Sequence, residues 1–537
     1  MERQAPRQVL YENQLPLAVE SKSTRRLFFP EGGSTYGPTG GGANPNIIRI
    51  PINADSLLDV QHSYLQFKLN FTAANTRGVA PDIGVPFIRR LRIESAGTTL
   101  EDIEEYGKLY GGVLLPAQAS VGAVQDSSIS TGGIGAVSGN ATIVAGALAN
   151  TAATAVAAPA ASALAGVLQA NIEAGINAAT ADIKAKVDTA LTALANSVNT
   201  QTSGVATIAG ASALAGVKHQ ITSAFHGGQN ITYNIPLVSA LMNMDKYLPL
   251  VMMNAGLTLE LELDVAGSLG LQDTNGAAGA GAGDEAPEWT ISDVRYVAHL
   301  IDLQRDFYDK MRMVMEGSGG VLQLAGTTFR HYVGSVPAGA DADATINIPS
   351  RVKSIKSVFF TQTPVASKTN LNEFGVSNSI PNGISEFQFR IGSVVYPPTS
   401  VKLGQGTLGG TANSYPNKGE AYAEFRKAFG TLGDYSEGGT MLNNESWFAA
   451  GTANDNTCAA GAAVPPVPKM CPLGLDFEAF PKTALESGVN TADRSLPMSL
   501  EIKRSGANAA VVCNCDVWVM CDAIFYVNLD GSVSVSI

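Results

Sequence analysis

The stretch LTLELELDV (257–265) decides how this chain is read. Leu257, Leu259, Leu261, Leu263 and Val265 alternate with Thr258, Glu260, Glu262 and Asp264. A period of two puts every apolar side chain on one side of an extended strand and the acidic ones on the other. One oily face and one charged face describe an antiparallel strand packed on one side and wet on the other. The same pattern returns in Leu65, Phe67, Leu69 and Phe71, in Ile231, Tyr233 and Ile235, and in Met498, Leu500 and Ile502. Short alternating strands in a chain with 56 glycines and 26 prolines to turn it predict an all-β sandwich or barrel.

Working outward, the succession of elements occurs twice. FIRRLRIES (87–95) is followed by EDIEEYGKLYG (101–111), read as a short helix, then ITYNIPLVSALMNMDKYLPL (231–250), GLTLELELDV (256–265) and WTISDVRYVAHLI (289–301). The second series is FQFRIGSVVY (387–396), the helical GEAYAEFRKAFG (419–430), LDFEAFPKTALESGVN (475–490), LPMSLEIKR (496–504) and CDVWVMCDAIFYV (515–527). Between them, Phe307, Tyr308, Met311, Val314 and Met315 mark a helix, expected to pack where two domains meet. The organisation expected is an arm at 1–19, a first domain at 20–303, a linking helix at 304–316 and a second domain at 317–537.

The first domain carries foreign material. No aromatic residue lies between Tyr110 and Phe225, and residues 141–170 hold 14 alanines, so 111–225 reads as an insertion. Ser, Thr, Asn and Gly interrupt each apolar run before it reaches the ~20 residues of a membrane span, so no transmembrane segment is expected. Ile172, Ile176, Ile183, Val187, Leu191, Leu194 and Val198 recur at helical spacing with one narrow apolar stripe, which makes the insertion partly helical. The Gly/Ala-rich 266–287 is a second inserted loop.

Charge and cysteine usage narrow the function classes. With 35 basic and 47 acidic residues the net charge is −12, which leaves no surplus of cations to displace counterions from a phosphate backbone. Lys22, Arg25 and Arg26 form a basic cluster near the start, a candidate arm toward nucleic acid or a partner subunit. Arg89, Arg90 and Arg92 are expected to balance acidic neighbours at a subunit contact. The N-terminal MERQAPRQVLYENQLPL lacks the basic and apolar regions of a secretory signal, and the expectation is synthesis in a cytoplasm. Five cysteines, Cys458, Cys471, Cys513, Cys515 and Cys521, crowd the last 80 residues in a number and distribution unlike a disulfide framework. Cys513, Cys515 and Cys521 share parity with Val517 and Val519, as small buried hydrophobes do.

Enzymatic constellations are scarce. His62, His219, His226, His299 and His331 form no HExxH pair, and GGSTYGPTGGGANP (32–45) lacks the Gly-Lys-Ser/Thr ending of a phosphate loop. Glu260 and Glu262, two apart on one strand face and hence about 7 Å apart, are the one carboxylate pair near glycosidase spacing. Trp289, Trp447 and Trp518 are too scattered for a sugar-stacking platform, and no GxSxG elbow occurs. No catalytic, cofactor-binding or metal-ligating residue is assigned, and no cofactor is expected.

Taken together, NIIRIPINADSLLDVQHSYLQFKLNF (46–71), ITYNIPLVSALMNMDKYLPLVMMNAGLTLELEL (231–263), INIPSRVKSIKSVFF (346–360) and LESGVNTADRSLPMSLEIKR (485–504) meet strand-forming runs with polar turns. In this the chain resembles the double jelly-roll major capsid proteins of virophages, polinton-like viruses and related eukaryotic DNA viruses. The resemblance implies two tandem jelly-roll β-sandwich domains, the first with the Ala-rich, partly helical insertion. It implies a homotrimer forming a pseudo-hexagonal capsomer in an icosahedral virion shell. The partners would be neighbouring capsomers and penton and minor capsid proteins, without sequence-specific nucleic-acid binding. Two alternatives stay open at this level: another virion attachment or fibre protein, and a carbohydrate-active β-sandwich enzyme using Glu260 and Glu262.

Overall fold

Alternating segments become strands, and the computed structural model shows how they pair. It describes residues 21–39, 44–71, 77–81, 87–118, 222–226, 230–244, 246–265, 289–317, 319–339, 343–365, 379–404, 406–408, 411–414, 418–430, 442, 447, 471–479, 488–493, 496–504 and 511–537. The arm 1–19, the Ala-rich block with the stripe from Ile172 to Val198, and the loop 266–287 lie outside the described residues.

The first half contains β1 (Ser21–Phe28), β2 (Thr35–Tyr36), β3 (Ile47–Ile52), β4 (Leu57–Phe71), β5 (Arg77–Pro81) and β6 (Ile88–Ser95). There follow β7 (Thr98–Glu104), β8 (Thr222–His226), β9 (Asn230–Ile235), β10 (Leu248–Pro249), β11 (Leu257–Leu263) and β12 (Trp289–Leu303). The second half contains β13 (Val321–Val336), β14 (Ala344–Ile348), β15 (Ile355–Pro364), β16 (Ile384–Ile391), β17 (Val394–Lys402) and β18 (Gly406–Leu408). It ends with β19 (Thr411–Ser414), β20 (Leu473–Asp476), β21 (Met498–Arg504), β22 (Cys513–Asn528) and β23 (Val533–Ser536).

Strand order shows the doubling. In the first half, one sheet runs β1-β12-β4-β10 and the other β3-β11-β6-β7. In the second half the sheets run β13-β22-β15-β20 and β14-β21-β16-β17. If the eight framework strands of each half are counted in chain order, both halves read 1-8-3-6 against 2-7-4-5. Eight antiparallel strands in two facing sheets with this order are a jelly roll, so the chain folds as two tandem jelly rolls. β2 and β9 extend the first sandwich, β23 extends the second, and β5-β8 and β18-β19 are separate ribbons.

The alternation of β11 is realised in place. Leu259 pairs across to Ile50 and Ile93, and its side chain is fully buried, as is that of Leu261, each contributing about 1.5–3 kcal/mol. Facing sheets meet through aromatic rings: Phe87, just before β6, packs on Phe67 of β4, Tyr233 of β9 and Trp289 of β12 at centroid distances of 6.1, 5.8 and 5.3 Å. Phe360 of β15 meets Phe387 and Phe389 of β16 at 5.1 and 6.2 Å.

Two expectations differ from the structure. The segment 101–111 is not helical from its start: Glu101–Glu104 complete β7, paired with β6, and the helix α1 (Tyr106–Lys108) begins after Glu105. The cause is the partner strand, because β6 offers a ladder edge that satisfies this backbone before a helix can. From α1 the chain passes through a π-helical turn (Leu109–Leu114) into α2 (Leu115–Gln118), where Gly112, Val113, Leu114, Pro116 and Ala117 are buried. The helix between the sandwiches is present as α3 (Arg305–Gly317), but Met315 is its one buried residue, and Met313 and Val314 are 69% and 67% exposed. Of the stripe, Phe307, Tyr308 and Met311 are half-buried and Val314 is exposed, so the junction within the chain covers it only in part.

Candidate functional site: the seam between the sandwiches and the outer sheet faces

The sandwiches join where β7 of the first lies against β13 and β23 of the second. Since β7 ends its sheet, this places Glu101 inside the molecule, 2% exposed. Its carboxylate accepts the Thr328 hydroxyl at 2.6 Å and the backbone N–H groups of Ala240 and Leu241 at 2.8 and 3.3 Å. Burial pushes its pKa up, and these hydrogen bonds oppose the shift. Gly326 of β13 makes the close approach possible: a β-carbon there would lie 2.8 Å from the carbonyl oxygen of Ala240.

One turn beyond β7, Lys108 crosses the seam. Its Nζ donates to Asp516 on β22 at 2.9 Å and lies 3.6 Å from Glu105. His331 of β13 approaches the other oxygen of Asp516 through Nε2 at 3.0 Å, and its Nδ1 is 3.8 Å from Glu104. Burial alone would raise the Asp516 pKa, but Lys108 and His331 outweigh it and hold the carboxyl well below the usual range. For Lys108, burial works against the ammonium, yet Asp516 and Glu105 prevail and its pKa is raised. A buried charge that keeps its ionisation must keep its partners, so this cluster fixes how the sandwiches sit. Elsewhere on the seam the backbone N–H of Asn254 donates to the carbonyl of Gly531 at 3.2 Å, with Gly531 at φ 81°.

A cavity of about 440 Å³ opens along this seam, lined by Leu114, Val238, Phe329, Phe429, Met520 and Lys356 among others. Lys356 is engaged there by Asp522 at 3.2 Å and Glu478 at 3.6 Å.

The carboxylate pair singled out in the sequence lies on the outer face of the β3-β11-β6-β7 sheet. Glu260 sits 2.6 Å from Arg49 and 3.7 Å from Arg92, and Glu262 lies 3.6 Å from Arg89. Arg90 grips Asp102 with two hydrogen bonds of 2.7 and 2.6 Å, and Arg92 lies 3.1 Å from Glu94. The acidic neighbours of Arg89, Arg90 and Arg92 thus belong to the same chain, on this sheet and at Glu105 just beyond it. Cross-strand register is the reason: Glu260 pairs with Arg49 on one side and Arg92 on the other. The second sandwich has its own ladder, Arg390 to Glu501 and Lys503 to Glu386, each at 2.6 Å.

The remaining sequence candidates are scattered. Arg25 and Arg26 are exposed on the edge strand β1, Arg25 donating to the Tyr64 hydroxyl at 3.3 Å and Arg26 lying 5.1 Å over the Phe28 ring. His62 contacts Asp59 at 2.8 Å, with the His299 ring 6.3 Å away. Among the described residues no cluster of three or more His, Cys, Asp or Glu side chains is arranged to hold a metal ion. Cys471, Cys513, Cys515 and Cys521 are free and buried, and burial pushes their thiols up, those of Cys513 and Cys521 to about 12. Cys458 lies outside the described residues. Trp289 and Trp518 are fully buried in separate sandwiches, and Trp447 donates its indole N–H to the Pro472 carbonyl at 3.1 Å. Among the described residues no helix is long and apolar enough to cross a membrane.

No protein-family model matches the chain, and no curated protein does. Solved structures similar to it include PBCV-1 VP54 as fitted into a reconstruction of the virophage Sputnik, 8% identical, with 98% of this chain and 99% of that one covered at a TM-score of 0.49. The Faustovirus major capsid protein is 9% identical over 96% of this chain and 92% of its own, with a TM-score of 0.45. The mavirus major capsid protein is 11% identical over 100% and 95%, with a TM-score of 0.43.

Proposed function

We propose that this protein is the major capsid protein of an icosahedral virus, a structural subunit whose trimers form pseudo-hexagonal capsomers that tile the shell. The observation that carries the reading is the repeated 1-8-3-6 and 2-7-4-5 strand order in two sandwiches joined by a buried charged seam. Two like domains in a fixed relation, taken three times, present six similar sides to their surroundings. That is what a tile with six neighbours requires of a trimer. The resemblance of the sequence to double jelly-roll capsid proteins points the same way.

In this reading the sandwiches occupy 20–303 and 317–537, and α3 lies in the link between them. Strands stand across the shell, the part of the insertion beyond Gln118 and the loop at 266–287 face outward, and the arm 1–19 runs toward a neighbouring capsomer or minor protein. The protein is made in the host cytoplasm and resides in the virion. A net charge of −12 suits a wall that encloses a genome without neutralising it. The ion ladders around Glu260 and Glu501 leave these carboxylates paired with arginines of the same chain, Glu260 itself being buried beneath them.

The test is the native mass of the purified protein by light scattering. Three times the 55.7 kDa chain is expected, and a monomer at micromolar concentration rejects the reading. Deleting 120–217 should leave both sandwiches folded while weakening the trimer or altering its outer surface, and global unfolding of that variant rejects the role given to the insertion.

A further inference from the structure

A lysine and an aspartate held together away from water can react as well as attract. At the seam Lys108 of α1, Asp516 of β22 and Glu105, the residue before α1, meet with side chains 5%, 2% and 10% exposed. The Lys108 Nζ lies 2.9 Å from Asp516 Oδ2 and 3.6 Å from Glu105 Oε2, and His331 Nε2 reaches the other Asp516 oxygen at 3.0 Å. Glu105 is placed by a left-handed backbone, φ 49°, a conformation that costs a residue other than glycine energy and persists where its surroundings impose it. Arg89 lies 3.9 Å from the other oxygen of Glu105. The same three residue types recur at Lys356, Asp522 and Glu478, but Lys356 lines the seam cavity, whereas the Lys108 amine is sealed between the sandwiches.

We propose that Lys108 and Asp516 condense into an isopeptide bond that joins the two sandwiches covalently, with Glu105 relaying the proton and His331 holding the carbonyl oxygen. Freshly folded chain holds the ion pair, and the bond accumulates afterwards. A proton passes from Nζ to Oδ2 along their hydrogen bond, leaving a neutral amine beside a neutral acid. The ion pair prevails at equilibrium, but burial opposes both charges, so one transfer relieves both and keeps the neutral pair within reach. The Nζ lone pair attacks the Asp516 γ-carbon, and Oδ1, accepting a hydrogen bond from His331, takes up the developing charge. Glu105 receives a second proton from the nitrogen and returns it to Oδ2, which departs as water. Nζ keeps its third proton as the amide N–H, Glu105 ends as it began, and no co-reactant is consumed. Fixed positions supply the effective concentration, and a site closed to solvent opposes hydrolysis of the product. The inference stands apart from the shell reading, since the bond locks two sandwiches whatever they build.

The experiment is mass spectrometry of the intact full-length chain, freshly purified and after storage at neutral pH, followed by peptide mapping. The chain should become lighter by one water with time, and proteolysis should release a branched peptide joining Lys108 to Asp516. On a denaturing gel the linked form should run ahead of the fresh chain, because the bond closes a loop across 408 positions. Lys108→Arg keeps the charge without an amine that can be deprotonated and should hold its full mass. Glu105→Gln keeps both reacting groups and should link about a hundredfold more slowly. A parent chain that stays at full mass overturns the proposal, with no variant needed. A lost water without the branched peptide overturns it too, as does a branch through Lys356 in place of Lys108. Linking by Glu105→Gln at the parent's rate overturns the relay.

Discussion

Removing the Lys108 ammonium tests whether the seam holds the sandwiches together. In Lys108→Met the stem keeps its length, but Asp516, 1% exposed, loses the partner 2.9 Å away and retains His331. Breaking a buried pair from one side costs about 3–5 kcal/mol, because a desolvated charge is left behind. With a urea slope of about 3 kcal/mol per molar, the unfolding midpoint should fall by about 1–2 M. Tryptophan fluorescence is a suitable probe, since the Trp518 ring is fully buried 5.4 Å from that of His331. The pH dependence has a definite sign. In the parent protein the depressed Asp516 pKa supplies stability that is present above the unfolded value and lost as pH falls toward the folded one. Without Lys108 the folded pKa rises, protonation relieves the stranded charge, and the penalty should shrink between pH 7 and pH 4. Lys108→Met/Asp516→Asn should recover at least half of the loss at pH 7. A midpoint equal to the parent's, or a penalty unchanged at pH 4, refutes the reasoning.

Gly326→Val drives a side chain into Ala240 across the seam and should lower stability by about 1–3 kcal/mol, visible in the same urea titration; an unchanged midpoint would show the approach to be slack. Glu260→Gln releases Arg49, whose side chain is 57% exposed, so the loss should stay below about 1 kcal/mol and diminish in molar salt. The raised thiols of Cys471, Cys513, Cys515 and Cys521 should resist iodoacetamide at pH 8 in the folded protein and react on unfolding, as mass spectrometry would read. Truncating residues 1–19 should spare trimers and impair shell assembly, and unimpaired shells would remove the arm from the account.

Much of the frame was legible because it is local. The alternation of β11 set its inner face, and the repeated order of segments gave two sandwiches before any pairing was known. The seam was not legible, because its partners are far apart in the chain: Lys108 and Asp516 are separated by 408 positions, and Glu101 and Thr328 by 227. A signal was nonetheless present. Lys108 sits in the otherwise uncharged YGKLYGG, and Asp516 in an apolar strand whose cysteines were already read as buried, and buried charges require partners. The tract from Glu101 to Glu104 was misread because its helix-forming glutamates concealed a sheet position that only β6 reveals. For α3 the helix was legible and its environment was not, since an amphipathic stripe states that a partner exists without saying which.

The central claim is tested most directly by electron-microscopic class averages of the purified assembly. The account predicts a trimer with a hexagonal outline built of six lobes in three pairs, each pair one chain with its two sandwiches. Single two-lobed particles, or a ring whose symmetry does not place three chains around the axis, would contradict it.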